Sequence, residues 1–214
     1  MIDDVAILIP ARGGSKRIPK KNIINVGGKP LILHTINKAL SITDNTYVST
    51  DCKEIKNVCL NTGVKIIDRP SHLATDTADV RDTIKHFLNI IDCKIILLMQ
   101  TTSPLVELEY ILEGLKKINY CDSVISVCEV RSFFWNSQKK PINYNILNKP
   151  RTQDMQPVYE ENGAFYITHA KSFLESNTLT SGKVEFVITP KKQSIDIDTK
   201  EDLKILFILE LIAS

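Results

Sequence analysis

The sequence predicts an α/β fold in which a mostly parallel, doubly wound sheet carries helices on both faces. Through residues 1–128, short apolar runs alternate with amphipathic segments in the order βαβαβαβαβ. Strands joined by helices in this way run parallel, and the connecting helices cover both sides of the sheet. The 214 residues include 43% hydrophobic residues and 8 glycines, a composition typical of one ordinary globular domain. We therefore expect a single domain over residues 1–214.

The first half of the chain supplies five strands and four helices. Val5–Ile9 is an uninterrupted apolar run closed by Pro10, as expected for a strand buried on both faces. Pro30 precedes an amphipathic segment at 31–42, and proline is favoured at the first turn of a helix because its missing N–H is not needed there. The same patterns predict strands at Tyr47–Thr50, Val64–Ile67, Lys94–Met99 and Ser123–Val127, and helices at Lys53–Thr62, Val80–Ile91 and Glu107–Ile118.

The alternation breaks from Glu129 to Glu161, where the sequence is polar and punctuated by proline. Phe133, Phe134 and Trp135 are consecutive in this stretch, and three neighbouring aromatic side chains in solvent would form an unusual apolar patch. We interpret residues 129–161 as an arm that buries these side chains against a second subunit or against its own chain. Beyond it, the sequence predicts strands at Gly163–Thr168, Val184–Thr189 and Ile195–Asp198, and helices at Ala170–Ser176 and Lys200–Ile212.

Charge and cysteine content limit the possible partners and the compartment. The chain has 27 basic and 25 acidic residues, so its net charge of +2 gives no general reason to bind nucleic acid or an anionic membrane. Its five cysteines are odd in number and form no CxxC pair, which indicates free thiols in a reducing cytoplasm. The acidic N-terminus does not fit an export signal, and no apolar run approaches the roughly 20 residues of a membrane helix.

The segment IPARGGSKRIPKKN, Ile9–Asn22, directly follows the first predicted strand. Ligands of doubly wound sheets bind at the carboxyl ends of the strands, where this loop lies. Gly13 and Gly14 allow the backbone to approach a ligand closely. Cationic donors are supplied by Arg12, Lys16, Arg17, Lys20 and Lys21. The loop predicts a polyphosphate cradle, although it matches neither a Walker A loop nor GxGxxG, and the alternative is a solvated basic loop.

The segment SIDIDT, Ser194–Thr199, carries a pair of carboxylates. In an extended strand Asp196 and Asp198 lie on the same face, close enough to hold one divalent cation. Together with the basic loop, the pair suggests a metal–triphosphate site. The alternative is an exposed strand edge ahead of a helix, with Thr199 as N-cap and Asp202 completing a capping box.

QTTSP, Gln100–Pro104, follows the apolar strand KIILLM. Its amide and hydroxyl groups could bind a base or a sugar at the carboxyl end of the strand. The same residue types are also typical of turns and helix caps, so this motif leaves both interpretations open.

Taken together, these motifs resemble the acylneuraminate cytidylyltransferases, the CMP-sialic acid synthetases and their relatives acting on legionaminic, pseudaminic and other nonulosonic acids. Six motifs occur in the family's order: IPARGGSKRIPKKN, STD from Ser49, RPSHLATDTA from Arg69, QTTSPL from Gln100, NGAFYI from Asn162 and SIDIDTKEDL from Ser194. The resemblance implies CMP transfer from CTP to the anomeric hydroxyl of a 2-keto sugar acid, with Mg²⁺ and release of pyrophosphate. It also implies a Rossmann-like fold and a homodimer whose arm crosses to the partner.

Residue roles follow from the resemblance position by position. The nucleotide-binding positions are Arg12, Ser15, Lys16, Lys21 and Asn22. The positions on the sugar side are Gln100, Arg151, Asn162 and Tyr166. Asp196 and Asp198 match the metal ligands, and the catalytic positions are Arg12, Lys21 and Asp198. The motifs contain no Ser/His/Asp or Cys/His set, which favours direct in-line attack without a covalent enzyme intermediate.

Three positions depart from the family pattern. Thr101 replaces the usual proline and Val106 the usual arginine, while Val80 stands where small hydroxyl or proline residues are common. In addition, the region around Leu179 and Thr180, where sialic acid enzymes can have aromatic residues near the N-acyl group, has none, and these departures leave the identity of the sugar open. The alternatives are a cytidylyltransferase for Kdo, Kdn or another sugar, and, from a different class, a catalytically inactive nucleotide-binding module. Retention of the basic loop together with both aspartates argues against the inactive module.

Overall fold

A computed structural model describes residues 4–213, with side chains for residues 4–208, so residues 1–3 and 214 of the predicted domain lie outside the described range. The strands are β1 (Val5–Pro10), β2 (Asn25–Val26), β3 (Lys29–Pro30), β4 (Thr46–Thr50), β5 (Lys65–Asp68), β6 (Ile95–Met99), β7 (Ser123–Val130), β8 (Val158–His169) and β9 (Val184–Thr189). The helices are α1 (Leu31–Leu40), α2 (Lys53–Cys59), α3 (Val80–Leu88), α4 (Leu108–Lys117), α5 (Ala170–Ser176) and α6 (Lys200–Ala213).

Seven strands form one sheet in the order β5-β4-β1-β6-β8-β7-β9, and β2 pairs with β3 in a separate hairpin. β1 runs parallel to β4 and β6, β4 to β5, and β7 to β9. β8 is antiparallel to both of its neighbours, β6 and β7. The predicted mostly parallel α/β fold is confirmed. The antiparallel strand arises because β8 returns from the arm directly alongside β7, as in a long hairpin, without a helical crossover.

Side chains alternate between the two faces of β1, and each face has its own apolar cluster. Ile7 packs with Leu97 and with side chains from α1, α2 and α4. Leu8 packs with Leu98 and with side chains from α3 and α5 on the opposite face. Helices therefore cover both faces, as predicted, and burial of the apolar strands holds the carboxyl ends of β1, β4 and β6 in one rigid row.

A third apolar cluster lies beyond the carboxyl ends of β1 and β6, close to the polar loops. Its buried members are Ile18, Val26, Leu31, Ile197 and Leu206. The first three come from the basic loop and the segment after it, and the last two from the aspartate segment and α6. Burial of these apolar side chains brings two segments that are far apart in the sequence to the same place.

The prediction of a strand at Ile195–Asp198 is wrong, because this segment has no ladder of backbone hydrogen bonds. Its described link to the sheet region is one bond of 2.8 Å, from the N–H of Ile197 to the carbonyl oxygen of Thr102. The alternation expected of a strand is nevertheless present. Ile197 is fully buried, whereas Asp196 is exposed and Asp198 is partly exposed.

The arm is shorter than predicted. β7 extends to Val130 and β8 begins at Val158, with these two residues paired, so residues 131–157 lie outside the sheet rather than 129–161. Within it, Phe133 and Trp135 both pack edge-on against Tyr144, at centroid distances of 4.8 and 6.1 Å. The aromatic residues are thus partly covered by their own arm.

Two further expectations concern the solution environment. All five cysteines are free thiols, as the sequence predicted. None of the helices within residues 4–213 is long and apolar enough to cross a membrane.

Candidate active site

Polar loops meet in a cleft at the carboxyl ends of β1 and β6. Two adjoining cavities of about 280 Å³ each share Arg12, Ser15, Lys21 and Asp76 in their walls. The first also contains predicted site residues Asn22 and Gln100, and the second contains Lys16 and Asp198. The structure therefore brings together the residues predicted for the nucleotide and one of the two predicted for a metal.

The basic loop is held close to the β4–α2 connection. The N–H of Gly13 donates to Asp51 Oδ1 at 2.9 Å. A Cβ atom at position 13 would lie only 2.7 Å from the Cβ of Cys52, so a side chain there would collide with this connection. The close approach of the basic loop to the β4–α2 connection thus depends on glycine at this position for steric reasons.

Two cations of the basic loop share one carboxylate that sequence reasoning did not single out. Asp76 lies 2.7 Å from Arg12 Nη1 through one oxygen and 2.5 Å from Lys16 Nζ through the other. Hydrogen bonds from Lys16 and Arg12 lower the pKa of Asp76. The carboxylate therefore stays ionised and occupies the position at which these two cations could contact an anionic ligand.

Lys21 connects the basic loop to the aspartate segment. Its Nζ donates to Asp198 Oδ1 at 2.9 Å and to the carbonyl oxygen of Ile197 at 2.8 Å, and its side chain is only 14% exposed. The second oxygen of Asp198 accepts from Arg17 Nη2 at 2.9 Å. Desolvation favours the neutral acid, but hydrogen bonds and charge from Lys21 and Arg17 outweigh it and lower the pKa of Asp198.

The backbone at Asp198 is fixed by a capping box at the start of α6. Asp202 Oδ2 accepts from the N–H and the hydroxyl of Thr199 at 2.7 and 2.8 Å, and the N–H of Asp202 donates back to the Thr199 hydroxyl at 3.2 Å. The same carboxylate oxygen accepts from the N–H of Asp198 at 3.1 Å. The capping box proposed for SIDIDT is thus present, and it is compatible with a metal-binding role because it leaves the Asp198 carboxylate available.

The two aspartates have the chemistry of a hard-cation site, but they form only part of one. Desolvation and the nearby charge of Asp198 raise the pKa of Asp196, against a hydrogen bond from Thr102. A divalent cation between them would relieve this repulsion. Within residues 4–208, no group of three or more His, Cys, Asp or Glu side chains is placed to hold a metal ion. The pair therefore fits an ion that takes its other ligands from a bound phosphate and water.

The Gln100–Pro104 loop is hydrogen-bonded to the basic loop, the aspartate segment and β8. The Thr101 hydroxyl donates to Asn22 Oδ1 at 2.6 Å, and the Thr102 carbonyl accepts from Ile197. The N–H of Gln100 donates to the carbonyl of Ala164 on β8 at 3.1 Å. Of the two interpretations of QTTSP, the turn and scaffold role is therefore directly visible, while Gln100 also lines the first cavity.

A third cavity, of about 410 Å³, lies beside Asp196 and contains two of the residues predicted for the sugar side, Asn162 and Tyr166. The amide of Asn162 is used by the fold. Its oxygen accepts from Ser126 at 2.7 Å, and its nitrogen donates to Thr189 at 2.7 Å and Ser194 at 3.0 Å. Asn162 thus ties β7, β8 and β9 together and shapes the cavity wall.

Two acids and a phenol dominate one side of this third cavity. The hydroxyl of Tyr166 donates to Glu161 Oε2 at 3.2 Å, and Glu160 also lines the wall. Burial, together with the charge of Glu161, raises the pKa of Tyr166 to about 12. Tyr166 is therefore a neutral hydrogen-bonding group at physiological pH.

Arg151 is not brought to these cavities within the described chain. It lies on the arm with its side chain 76% exposed, and its Nε donates to Asp154 at 2.7 Å. Arg151 could reach a cavity only if the arm packed against that cavity. Within a single chain, Arg151 lines none of the three cavities described above. Its predicted contact with the sugar stays a prediction.

Sequence reasoning missed a buried cation in the first cavity, Arg69. Its Nε donates to the Ser49 hydroxyl at 3.1 Å and its Nη2 to the Ser49 carbonyl at 2.5 Å. Burial lowers the pKa of Arg69 to about 10, so it stays charged at neutral pH. The available signal was its position, because Arg69 directly follows β5 at the carboxyl edge of the sheet.

This arrangement of a basic loop after β1, facing carboxylates and a polar cleft is that of the nucleotide-binding α/β proteins. The chain belongs to the cytidylyltransferase family, whose pattern it matches over residues 6–208. It is 32% identical to an N-acylneuraminate cytidylyltransferase of Streptococcus agalactiae over 91% of this chain and 50% of that protein. It is 31% identical to the pseudaminic acid cytidylyltransferase of Campylobacter jejuni over 94% of each chain.

The chain spans about half the length of the N-acylneuraminate cytidylyltransferases that it matches. Among solved structures, it resembles a CMP:2-keto-3-deoxy-manno-octonic acid synthetase complexed with CTP. The TM-score is 0.73 with 17% identity, and the match covers 98% of this chain and 99% of that one. This structural likeness supports the fold and the order of its elements.

Lys38 on α1 contacts the carbonyl oxygen of Pro104. Because Lys38 is partly buried there, we expect the free energy of unfolding to depend on pH. Burial lowers the pKa of Lys38 to about 8, Lys29 adds to the shift and Glu107 opposes it. Between pH 8 and 10.5, Lys38 binds more protons in the unfolded chain than in the folded chain. The free energy of unfolding therefore rises with pH over this range. Relative to Lys38→Met, the wild-type free energy of unfolding should increase by roughly 2 kcal/mol from pH 8 to pH 10.

Urea denaturation at each pH measures this difference. Lys171→Met, which removes an exposed lysine on α5, is the matched control and should give a curve parallel to wild type. Parallel curves for wild type and Lys38→Met would contradict the assignment.

Proposed function

We propose that this protein transfers CMP from CTP to the anomeric hydroxyl of a nonulosonic, sialic-acid-like 2-keto sugar acid and releases pyrophosphate. The observation that carries the proposal is the contact between Lys21 and Asp198, which joins a polycationic loop to a carboxylate pair. Lys21 and Asp198 line the cleft that is rich in cations, and Asp196 lines the separate acidic cavity. Membership of the cytidylyltransferase family and the identities of the relatives support this reading.

The cationic cleft suits the triphosphate of CTP. Arg12 and Lys16, paired with Asp76 in the free protein, bind the β- and γ-phosphates in exchange for that carboxylate. Lys21 is the least exposed of the three and stabilises charge at the α-phosphate. Asn22 and Ser15 complete the nucleotide site. Fixed donors in a partly desolvated site stabilise developing charge better than water does, because they need no reorganisation.

Asp196 and Asp198 would hold Mg²⁺, which, when bound, neutralises phosphate charge. The chain's own contribution is to keep Asp198 ionised through Lys21 and Arg17, to hold its backbone with the capping box, and to donate a hydrogen bond from Thr102 to Asp196. Positioning and charge neutralisation are the main tasks, because the α-phosphorus is attacked directly by the sugar hydroxyl. No covalent enzyme intermediate is needed.

The acidic third cavity suits the sugar. Carboxylates only accept hydrogen bonds at neutral pH, so Glu160 and Glu161 face hydroxyl or N–H groups of the substrate. Lys191 supplies a positive charge among the lining residues and can meet the carboxylate of the sugar acid. Gln100 lies at the boundary between the cavities, with its Nε2 3.7 Å from the Cβ position at Gly163. The reaction would take place in the cytoplasm and supply an activated sugar for surface glycan synthesis.

The active form is a homodimer in this proposal. Apolar side chains are exposed both on the arm and on the edge strand β9, namely Phe134, Trp135, Ile146, Leu147, Val184, Phe186 and Ile188. Tyr159 at the base of the arm packs against Phe186 at a centroid distance of 5.3 Å, which joins the two regions. A second copy that covers this face would bury the apolar area and could carry Arg151 to the partner's sugar cavity.

The function is tested by a pyrophosphate-release assay with CTP, Mg²⁺ and a panel of 2-keto sugar acids. The panel includes N-acetylneuraminic, pseudaminic, legionaminic, Kdn and Kdo acids. We expect turnover with at least one nonulosonic acid and with CTP in preference to other nucleoside triphosphates. Turnover with Kdo alone would replace the proposed substrate class, and CTP binding without turnover on any sugar would indicate a binding module.

Lys21→Met should lower kcat by roughly 10² to 10³, equivalent to about 3 to 4 kcal/mol of lost transition-state stabilisation. Methionine keeps the length of the largely buried stem and removes only the charge. Lys94→Met is the matched control, because Lys94 lies just before β6, at the amino end of the strand, and pairs with Asp4 at 3.1 Å. The control should retain kcat within about threefold of wild type, since surface ion pairs contribute little. Equal losses in both variants would refute a specific role for Lys21.

The dimer is tested by sedimentation at micromolar concentration. Wild type should sediment as a dimer, and a double variant with Trp135→Ser and Phe186→Ser should dissociate because it removes apolar area from both exposed regions. Tyr120→Ser, at an exposed tyrosine after α4, serves as control and should remain dimeric. A wild-type monomer would overturn the homodimer.

A further inference from the structure

A short chain of buried hydrogen bonds links the Gln100–Pro104 loop to the nucleotide loop. The hydroxyl of Thr101 donates to Asn22 Oδ1 at 2.6 Å, and Asn22 Nδ2 donates to the carbonyl oxygen of Arg12 at 2.9 Å. The side chains concerned are well covered, since Thr101 is 3% and Asn22 5% exposed. This series of hydrogen bonds ends on the backbone of Arg12, and Arg12 lines both cavities of the cleft.

The order of donors and acceptors in this series of hydrogen bonds is determined at the Arg12 end. The carbonyl of Arg12 can only accept, so the amide nitrogen of Asn22 must face it. The amide oxygen of Asn22 then faces Thr101, whose hydroxyl must donate. Without the Thr101 hydroxyl, Asn22 Oδ1 would be a buried acceptor that lacks this donor. The side-chain amide of Asn22 would also lose the contact that holds its orientation.

We propose that Thr101 is a positioning residue for the nucleotide, acting through Asn22 to set the place of Arg12 in the cleft. This inference rests on the proposed function insofar as the ligand is CTP. Thr101 is one of the departures from the family pattern, and the proline usual there has no hydroxyl to form the contact. The linkage is therefore a property of this chain's own sequence.

The test compares Thr101→Val and Thr101→Ala, which lack the hydroxyl, with Thr101→Ser, which keeps it. Removing the hydroxyl should raise the Kd and KM for CTP about tenfold, within the range expected for a lost buried hydrogen bond. The KM for the sugar acid should change less than twofold, and serine should restore wild-type values. Calorimetry measures the Kd for CTP without sugar, and steady-state kinetics separates the two KM values.

Thr46→Val is the matched control for general destabilisation. Thr46 is also fully buried, and its hydroxyl donates to the Thr43 carbonyl at 2.6 Å, at the amino end of β4 and away from the cleft. It should lower the melting temperature to a similar extent and leave the KM for CTP unchanged. An equal rise in KM in this control would show that loss of stability, not positioning, causes the effect.

A double-mutant cycle with Asn22→Ala decides whether Thr101 acts through Asn22 or contacts CTP itself. If it acts through Asn22, adding Thr101→Val to Asn22→Ala should not weaken CTP binding further. Additive losses would overturn the inference, as would normal CTP affinity in both Thr101 variants that lack the hydroxyl. Failure of the wild type to bind CTP would instead refute the proposed function, and this inference with it.

Discussion

The ammonium group of Lys21, held between the carboxylate of Asp198 and the carbonyl of Ile197, joins two segments that lie 177 residues apart. The positions of the basic loop and of the aspartate segment in the cleft both depend on this contact. A charge removed from water must be paired, and here the pairing is possible only because Ile18 and Ile197 are buried in one apolar cluster nearby. The hydrophobic effect brings the segments together, and the ion pair aligns them.

The cations of the cleft outnumber the carboxylates with which they pair. Asp76 pairs with both Arg12 and Lys16, and Asp198 pairs with both Arg17 and Lys21, so each carboxylate is shared by two cations. The two pairings differ in what they contribute. Lys16 is 79% exposed, so its ion pair adds little to stability and can be exchanged for a phosphate at low cost. Lys21 is largely buried, so its contact also supports the structure.

The Gln100–Pro104 loop gives the cleft its rigidity. It contacts the basic loop through Asn22, the aspartate segment through Ile197, β8 through Ala164 and α1 through Lys38. Catalysis by positioning requires reacting groups to be held within a fraction of an ångström, and a loop bonded on four sides meets that need. The Thr101 hydroxyl and the backbone groups of this motif therefore act as structural supports of the site.

The sequence alone determined the α/β class, the alternation of strands and helices, the basic loop and the aspartate pair, because these depend on local apolar periodicity and on residue chemistry. The tertiary structure alone decided that β8 runs antiparallel between β6 and β7, that Asp76 pairs with two cations of the basic loop and that Arg69 lies in the cleft. It also showed Asn162 satisfied by the fold and Ile195–Asp198 without strand pairing. Hydrogen bonds and ion pairs between residues far apart in the sequence produce no periodic pattern in a single sequence. Their energy depends on burial and on interatomic distances that are set only when the chain folds.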